Sequence, residues 1–290
     1  MLCGEAAKRY SLQADFMARK KFNALPGFNL TMGLTVFFLT VIVLLPLAGL
    51  VLRACEISWR DFVKLVTDDR ALAAFELTFG ASLIAAVANV AFGTILAWVL
   101  VRYEFPGRRL IDAIVDFPFA LPTAVAGLTL ASLFAPHGWL GKFLVPLGIE
   151  GAYSRLGVVI ALTFVGMPFV VRTLQPVLEN LEHEVEEAAA TLGAGRLRTF
   201  VSVIAPSLFP ALLTGFALAF ARAIGEYGSV VFISGNLQYK TEIAPQLIVI
   251  HLEQYEYTEA IALTVVLLMV SFLLLTVINV LEQWASRFQH

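Results

Sequence analysis

Residues 77–101 read LTFGASLIAAVANVAFGTILAWVLV, twenty-five residues without a charged side chain. A bilayer core of about 30 Å needs about 20 apolar residues at about 1.5 Å each. The run is long enough to cross, and in lipid it must be helical because its backbone has no other hydrogen-bond partner. Similar runs lie on both sides of it, and spans are expected at about 30–52, 77–101, 112–135, 156–177, 206–233 and 259–282. Hydrophobic residues make up 59% of the 290 and charged residues 14%, where a soluble globule carries about 25% charge. Too few polar residues remain to cover a water-facing surface. The chain is read as an all-α integral membrane protein with six transmembrane helices. The same figures exclude disorder, a coiled coil and a disulfide scaffold. A net charge of −2 gives no sign of a nucleic-acid partner.

Basic residues set the orientation. Lys8, Arg9, Arg19, Lys20 and Lys21 fall in a tail, residues 1–28, that lacks the apolar core of a cleavable signal peptide. With this tail inside, twelve Lys and Arg residues lie on the inner side and seven on the outer, with Arg222 inside a span. Both termini are therefore expected in the cytoplasm, the C-terminal tail being 285–290. Cys3 and Cys55 then lie on opposite sides and cannot pair.

The catalytic vocabulary is missing. There is no Gly-x4-Gly-Lys-Ser/Thr phosphate loop, no His-Glu-x-x-His and no Gly-x-Ser-x-Gly, and two cysteines with scattered histidines make no zinc site. The chain is not expected to be an enzyme by itself. Energy for uphill work would come from a partner or an ion gradient.

The loop between spans four and five, residues 179–205, is the most informative stretch. Glu179, Glu182, Glu184, Glu186 and Glu187 crowd together, followed by Glu187-Ala188-Ala189-Ala190-Thr191-Leu192-Gly193 and, nine residues on, Val203-Ile204-Ala205-Pro206. The alanines favour helix, Gly193 can end it, and Pro206 suits the first turn of the next helix. A solvated acidic linker and a small-residue helix open to close approach by another protein both fit these residues. The spacing resembles the Glu-Ala-Ala loop of bacterial ABC-importer permeases, with Val203 and Ala205 standing where that pattern has Ile and Leu. The resemblance implies that Glu187, Ala188, Ala189, Gly193, Ala194, Gly195 and Pro206 belong to a coupling loop that docks on an ATPase subunit.

Other stretches narrow the family. They are Arg102-Tyr103-Glu104-Phe105-Pro106-Gly107-Arg108, Asp116-Phe117-Pro118-Phe119-Ala120-Leu121-Pro122-Thr123, Pro168-Phe169-Val170-Val171-Arg172-Thr173, and Gly225-Glu226-Tyr227-Gly228-Ser229 running on to Ser234-Gly235-Asn236 and Lys240-Thr241-Glu242. Together they resemble the T (or U) type permeases of sulfate/thiosulfate ABC importers, from Phe28 to about Leu281. Molybdate permeases share a relative of the last motif, so another tetrahedral oxyanion is the nearer alternative. An ion-driven secondary anion carrier is the alternative of another class.

The resemblance implies the type I ABC-importer permease fold in the bacterial inner membrane. It implies two copies of an ABC ATPase that bind ATP and Mg, with no cofactor in this chain itself. It also implies a second homologous permease of W type, an extracytoplasmic sulfate/thiosulfate-binding protein, and sulfate as the transported substrate.

Within the spans, Arg222 and Glu226 are four apart and so share a helix face. Each is costly in lipid, and a pair is the natural solution. They read either as a structural ion pair or as the electrostatic element of an anion path. Ser229, Ser234 and Asn236 can donate hydrogen bonds to an oxyanion, with ordinary interhelical packing as the other reading; Thr123, after the kinking Pro118 and Pro122, could supply a hydrogen bond to a freed carbonyl, with a simple kink as the other reading. Asp112 and Asp116 read as solvated, or as partners of Arg108 and Arg109. The outer segments 136–155 and 235–259 are the expected docking surfaces for a binding protein.

Overall fold

The computed structural model describes residues 28–181, 187–189 and 191–286. The basic tail, Glu182, Glu184, Glu186, Ala190 and the last four residues lie outside the described residues. Among the described residues all regular structure is helical, and five helices are long and apolar enough to cross a membrane.

The chain divides into two compact units, residues 1–53 and 54–290. The first holds one apolar rod. Helix α1 runs as Phe28–Leu39, widens to a π-helical turn at Thr40–Leu44, and continues as Leu45–Cys55. The widening has a local cause. Pro46 has no N–H and its ring crowds the carbonyl four residues back, and a wider turn relieves that crowding. Accordingly the Leu45 N–H reaches back five residues to Thr40.

In the second unit the order is α2 (Trp59–Val66), α3 (Asp69–Arg102), α4 (Arg108–Val115), α5 (Phe117–Ala120), α6 (Thr123–Phe134), α7 (Gly141–Leu144), α8 (Arg155–Glu179), α9 (Arg196–Ile224), α10 (Gly228–Ile233), α11 (Ala244–Glu253) and α12 (Tyr257–Ser286). Helix α2 is short and amphipathic, with Trp59 stacked on Phe62, as suits the membrane–water boundary. Helices α3, α8 and α9 form the core around Leu100, Val170, Val171, Leu174, Leu208 and Phe220. Apolar burial drives little association in lipid, so close backbone contact must do more of the work. Val170 of α8 sits against Gly93 of α3 on one side and Gly215 of α9 on the other.

Three expected features differ. The span expected over 112–135 is found in three pieces, α4, α5 and α6. Proline at 118 and again at 122 removes backbone donors in consecutive turns, and Leu121, the residue before a proline, is extended. The span expected over 206–233 begins ten residues earlier, at Arg196, and stops at Ile224. Pro206 does not start it. A π-helical turn at Phe200–Ile204 carries the helix past that proline, as in α1. The remaining part of the expected span is the separate helix α10, so Arg222 and Glu226 do not share one continuous helix. Third, the outer segment 235–259 contains α11, whose Ala244, Gln246 and Leu247 are buried, packed with Ala71, Phe75 and Leu263. Part of that segment is therefore core.

The two short helices α6 and α10 cross. A Cβ added to Gly127 of α6 would lie 2.2 Å from the Ser229 carbonyl oxygen, whereas one added to Gly80 in α3 would meet nothing within 4 Å. Gly127→Ala is thus expected to lower stability by about 1–3 kcal/mol through overpacking against backbone. Gly80→Ala should be neutral or stabilising by up to about 1 kcal/mol. Thermal unfolding of the two variants in detergent checks the contrast.

Candidate anion pathway and coupling loop

The site grows from the interruption between α9 and α10. Helix α9 ends at Ile224 with Gly225 as its C-cap, and Glu226 and Tyr227 bridge to α10. The break leaves N–H groups at the start of α10 without an intrahelical acceptor. Glu226 answers them. One carboxylate oxygen, Oε1, accepts from the Ser229 N–H and from the Ser229 hydroxyl, both at 2.9 Å. The other, Oε2, meets Arg222 Nη2 at 2.6 Å. A side chain 1% exposed is thereby given three donors, which is what a buried carboxylate requires. Its negative charge also lies at the positive end of α10.

Arg222 is placed differently from its partner. It extends from the last turn of α9 with 35% of its side chain exposed. The pair expected from the i, i+4 spacing is present, but across the helix end. Thr123 opens α6 and packs on the same junction. A Cβ on Gly228 would lie 2.2 Å from its Oγ1. Arg222, Glu226, Ser229 and Thr123 therefore gather at one end of α10.

Ser234 and Asn236 do not join them. They lie at the far end of α10 and bond one another, the Ser234 hydroxyl donating to Asn236 Oδ1 at 2.7 Å. Asn236 has a φ of +54° in a turn with Gly235 at +74°, closed by the Leu237 N–H donating to Thr241 Oγ1. Sequence alone grouped all six residues because spacing does not show which end of the helix each takes.

Sequence reasoning missed two interhelical clamps. At one end, Arg70 Nε and Nη2 reach the two carboxylate oxygens of Glu242, each at 2.8 Å, and the Thr78 hydroxyl accepts from the Ala244 N–H at 2.8 Å. Together they fix the segment leading into α11. At the other end, Asp112 and Asp116 keep part of their side chains exposed, and the cation that they hydrogen-bond is Arg172, not Arg108 or Arg109. Arg172 and Gln175 both donate to the same Asp112 carboxylate oxygen. The only available signal was the presence of acidic and basic residues in separate motifs.

The loop preceding α9 has the expected bend. Residues 187–189 are helical. Gly193 takes a φ of +80°, and the Ala194 N–H bonds to the Ala189 carbonyl at 3.0 Å. This six-to-one closure with a left-handed glycine is the Schellman helix end. A second bend follows, with Gly195 capping α9 and the Thr199 N–H bonding to the Gly195 carbonyl. Glu187 and Ala188 are exposed and Ala189 is partly so. The loop is not built of small side chains alone: Leu192 is 88% exposed and Leu197 77%.

Residues 89–288 match the family described as "Binding-protein-dependent transport system inner membrane component". The chain belongs to that family. Among curated relatives, the sulfate transport system permease protein CysT of Salmonella typhimurium is 49% identical over 91% of this chain and 94% of its own length. The Escherichia coli K12 protein of the same name is 47% identical over the same shares. A family member with this composition is a multi-pass inner-membrane permease subunit, and the ATPase of such importers is a separate chain. The fold is shared with a solved bacterial ABC transporter that imports the acidic polysaccharide alginate, at a TM-score of 0.73 and 15% identity, covering 89% of this chain and 96% of that one. The same transporter has been solved with a pentasaccharide-bound periplasmic protein, with a TM-score of 0.71.

The unequal exposure of Arg222 and Glu226 orders their variants. Arg222→Met leaves a buried carboxylate without its cation and is expected to cost about 3–5 kcal/mol. Glu226→Gln keeps an acceptor for Ser229 and leaves the charge on the better-hydrated partner, so it should cost less. Unfolding midpoints of the two purified variants should fall in that order.

Proposed function

We propose that this chain is a transmembrane permease subunit of an ATP-driven ABC importer that moves sulfate, and thiosulfate with it, across the bacterial inner membrane into the cytoplasm. The observation that carries this reading is the 49% identity over 91% of the chain to a sulfate transport system permease. Its partners would be two ATPase copies that bind ATP and Mg, a second permease of W type, and an extracytoplasmic sulfate-binding protein. Both termini would face the cytoplasm, with the broken segment α4–α6 completing six crossings.

The geometry supports a division of labour. The loop around Glu187, Ala188, Ala189, Gly193, Ala194 and Gly195 docks on an ATPase through an exposed, bent surface, and Pro206 lies within the helix that leaves it. Closure of the ATPases moves α8 and α9, which flank the loop. Arg222 supplies positive potential for a dianion. Glu226 prevents that arginine from holding the ion too tightly, since transport requires release. Thr123 and Ser229 sit beside the pair. Ser234 and Asn236 lie toward the outer end, where sulfate arrives. Anion preference is a matter of hydrogen bonds and charge, and molybdate is the competitor most similar in shape.

Gly193→Asp tests the coupling loop. A Cβ at Gly193 meets nothing within 4 Å, so the cost is confined to the left-handed backbone, about 1–2 kcal/mol. The expected result, in liposomes holding the co-purified complex, is an assembled transporter whose ATP-driven sulfate uptake is lost. Normal uptake would reduce the loop to a linker. Sulfate uptake by the chain alone without ATP would favour the secondary carrier.

A further inference from the structure

We infer that Arg172 is a positioning residue for transport: it ties the helix leading into the 187–195 loop to the broken segment α4–α6, so that movement of the loop reaches the junction at Glu226. The inference rests on the coupling role proposed above.

The connection can be followed residue by residue. Arg172 lies in α8, about two turns before the helix ends at Glu179 and the loop begins. Its Nε and Nη2 grip the two oxygens of Asp116 at 2.8 and 2.6 Å. Nη1 reaches Asp112 Oδ1 at 2.7 Å and Nη2 the Asp112 carbonyl at 2.9 Å. Gln175, one turn on, donates to the same Asp112 oxygen at 3.0 Å. On the same face of α8, Phe169 packs edge-on against Phe119 of α5, with centroids 5.1 Å apart. Helix α8 thus holds α4, α5 and the residue between them through three side chains of its own, Phe169, Arg172 and Gln175. Leu121 and Pro122 follow, then Thr123 and Gly127 of α6, which contact Gly228 and Ser229 beside Glu226.

Magnitudes separate positioning from stability. The Arg172, Asp112 and Asp116 side chains are 32%, 43% and 46% exposed in the chain alone, and ion pairs so exposed add little to stability. Orientation is what the arrangement supplies. A planar guanidinium gripping one carboxylate with two parallel bonds fixes both angle and distance, which a lysine cannot do. The segment it holds is the one most able to hinge, because two prolines and an extended Leu121 leave few backbone bonds between α5 and α6.

The test uses the complete complex with its binding protein in liposomes and measures sulfate taken up per ATP hydrolysed. Arg172→Lys should lower that ratio about tenfold, the equivalent of one charge-assisted hydrogen bond, with hydrolysis continuing and little change in thermal midpoint. Asp116→Asn, which keeps the carboxylate's shape, should do the same. The double variant should be no worse than either single one, because both break one connection. An unchanged ratio in both variants, or additive losses in the double variant, would overturn the inference. So would uptake, hydrolysis and midpoint falling together, since that is the mark of a merely structural residue. Wild-type vesicles that take up no sulfate on ATP addition would instead overturn the functional reading. ATP-driven wild-type uptake with unaltered variants would overturn only the role of Arg172.

Discussion

A backbone that breaks inside a membrane has to be satisfied by its own protein, and the carboxylate of Glu226 is where that requirement is met. With α9 ending at Ile224 and α10 starting at Gly228, the first amides of α10 have no preceding turn to accept from them. Glu226 supplies the acceptor, and Arg222 neutralises the charge this brings into the bilayer. Neither residue is sensible there without the other. On the proposed reading, an arginine partly balanced by a buried carboxylate would attract an anion without retaining it, because the anion would compete with a ligand already in place.

The second constraint is steric. Two helices too short to cross alone, α6 and α10, are useful only if they brace each other, and bracing across lipid depends on backbone contact. Gly127 and Gly228 permit it, with Ser229 and Thr123 in the crossing. The three long core helices use the same device at Gly93 and Gly215. The positions that let helices meet are thus the positions that build the junction, and fold and candidate site share one set of residues.

Legibility in the sequence followed the range of the interaction. Features set within one or two turns could be read: the long apolar runs, the helix end at Gly193, and the Arg222–Glu226 pairing. Interactions between distant motifs could not. Arg172 and Asp116 are 56 residues apart and Arg70 and Glu242 are 172 apart, and no local periodicity links them. Proline was ambiguous for a different reason. Pro168, Pro176 and Pro210 sit inside continuous helices, Pro46 and Pro206 are passed by a wider turn, and Pro122 sits at a break. Spacing does not separate the cases: Pro206 and Pro210 are four apart, like Pro118 and Pro122, yet lie in a helix that a π-helical turn keeps continuous.

These contacts bear on why an importer would retain part-exposed ion pairs where α8 meets α4 and α5. If Arg172, Asp112 and Asp116 served stability, an apolar contact of similar size would serve better. Apolar surfaces slide, however, whereas a guanidinium fork fixes one geometry. A machine that turns a loop movement into a helix movement needs contacts that do not slip. The Arg70–Glu242 fork, with its carboxylate almost fully buried, holds the segment before α11 in the same manner. On the proposed reading, the break at Leu121 and Pro122 between α5 and α6 would be the yielding point between such fixed contacts, through which a push at the loop would be expressed at Glu226.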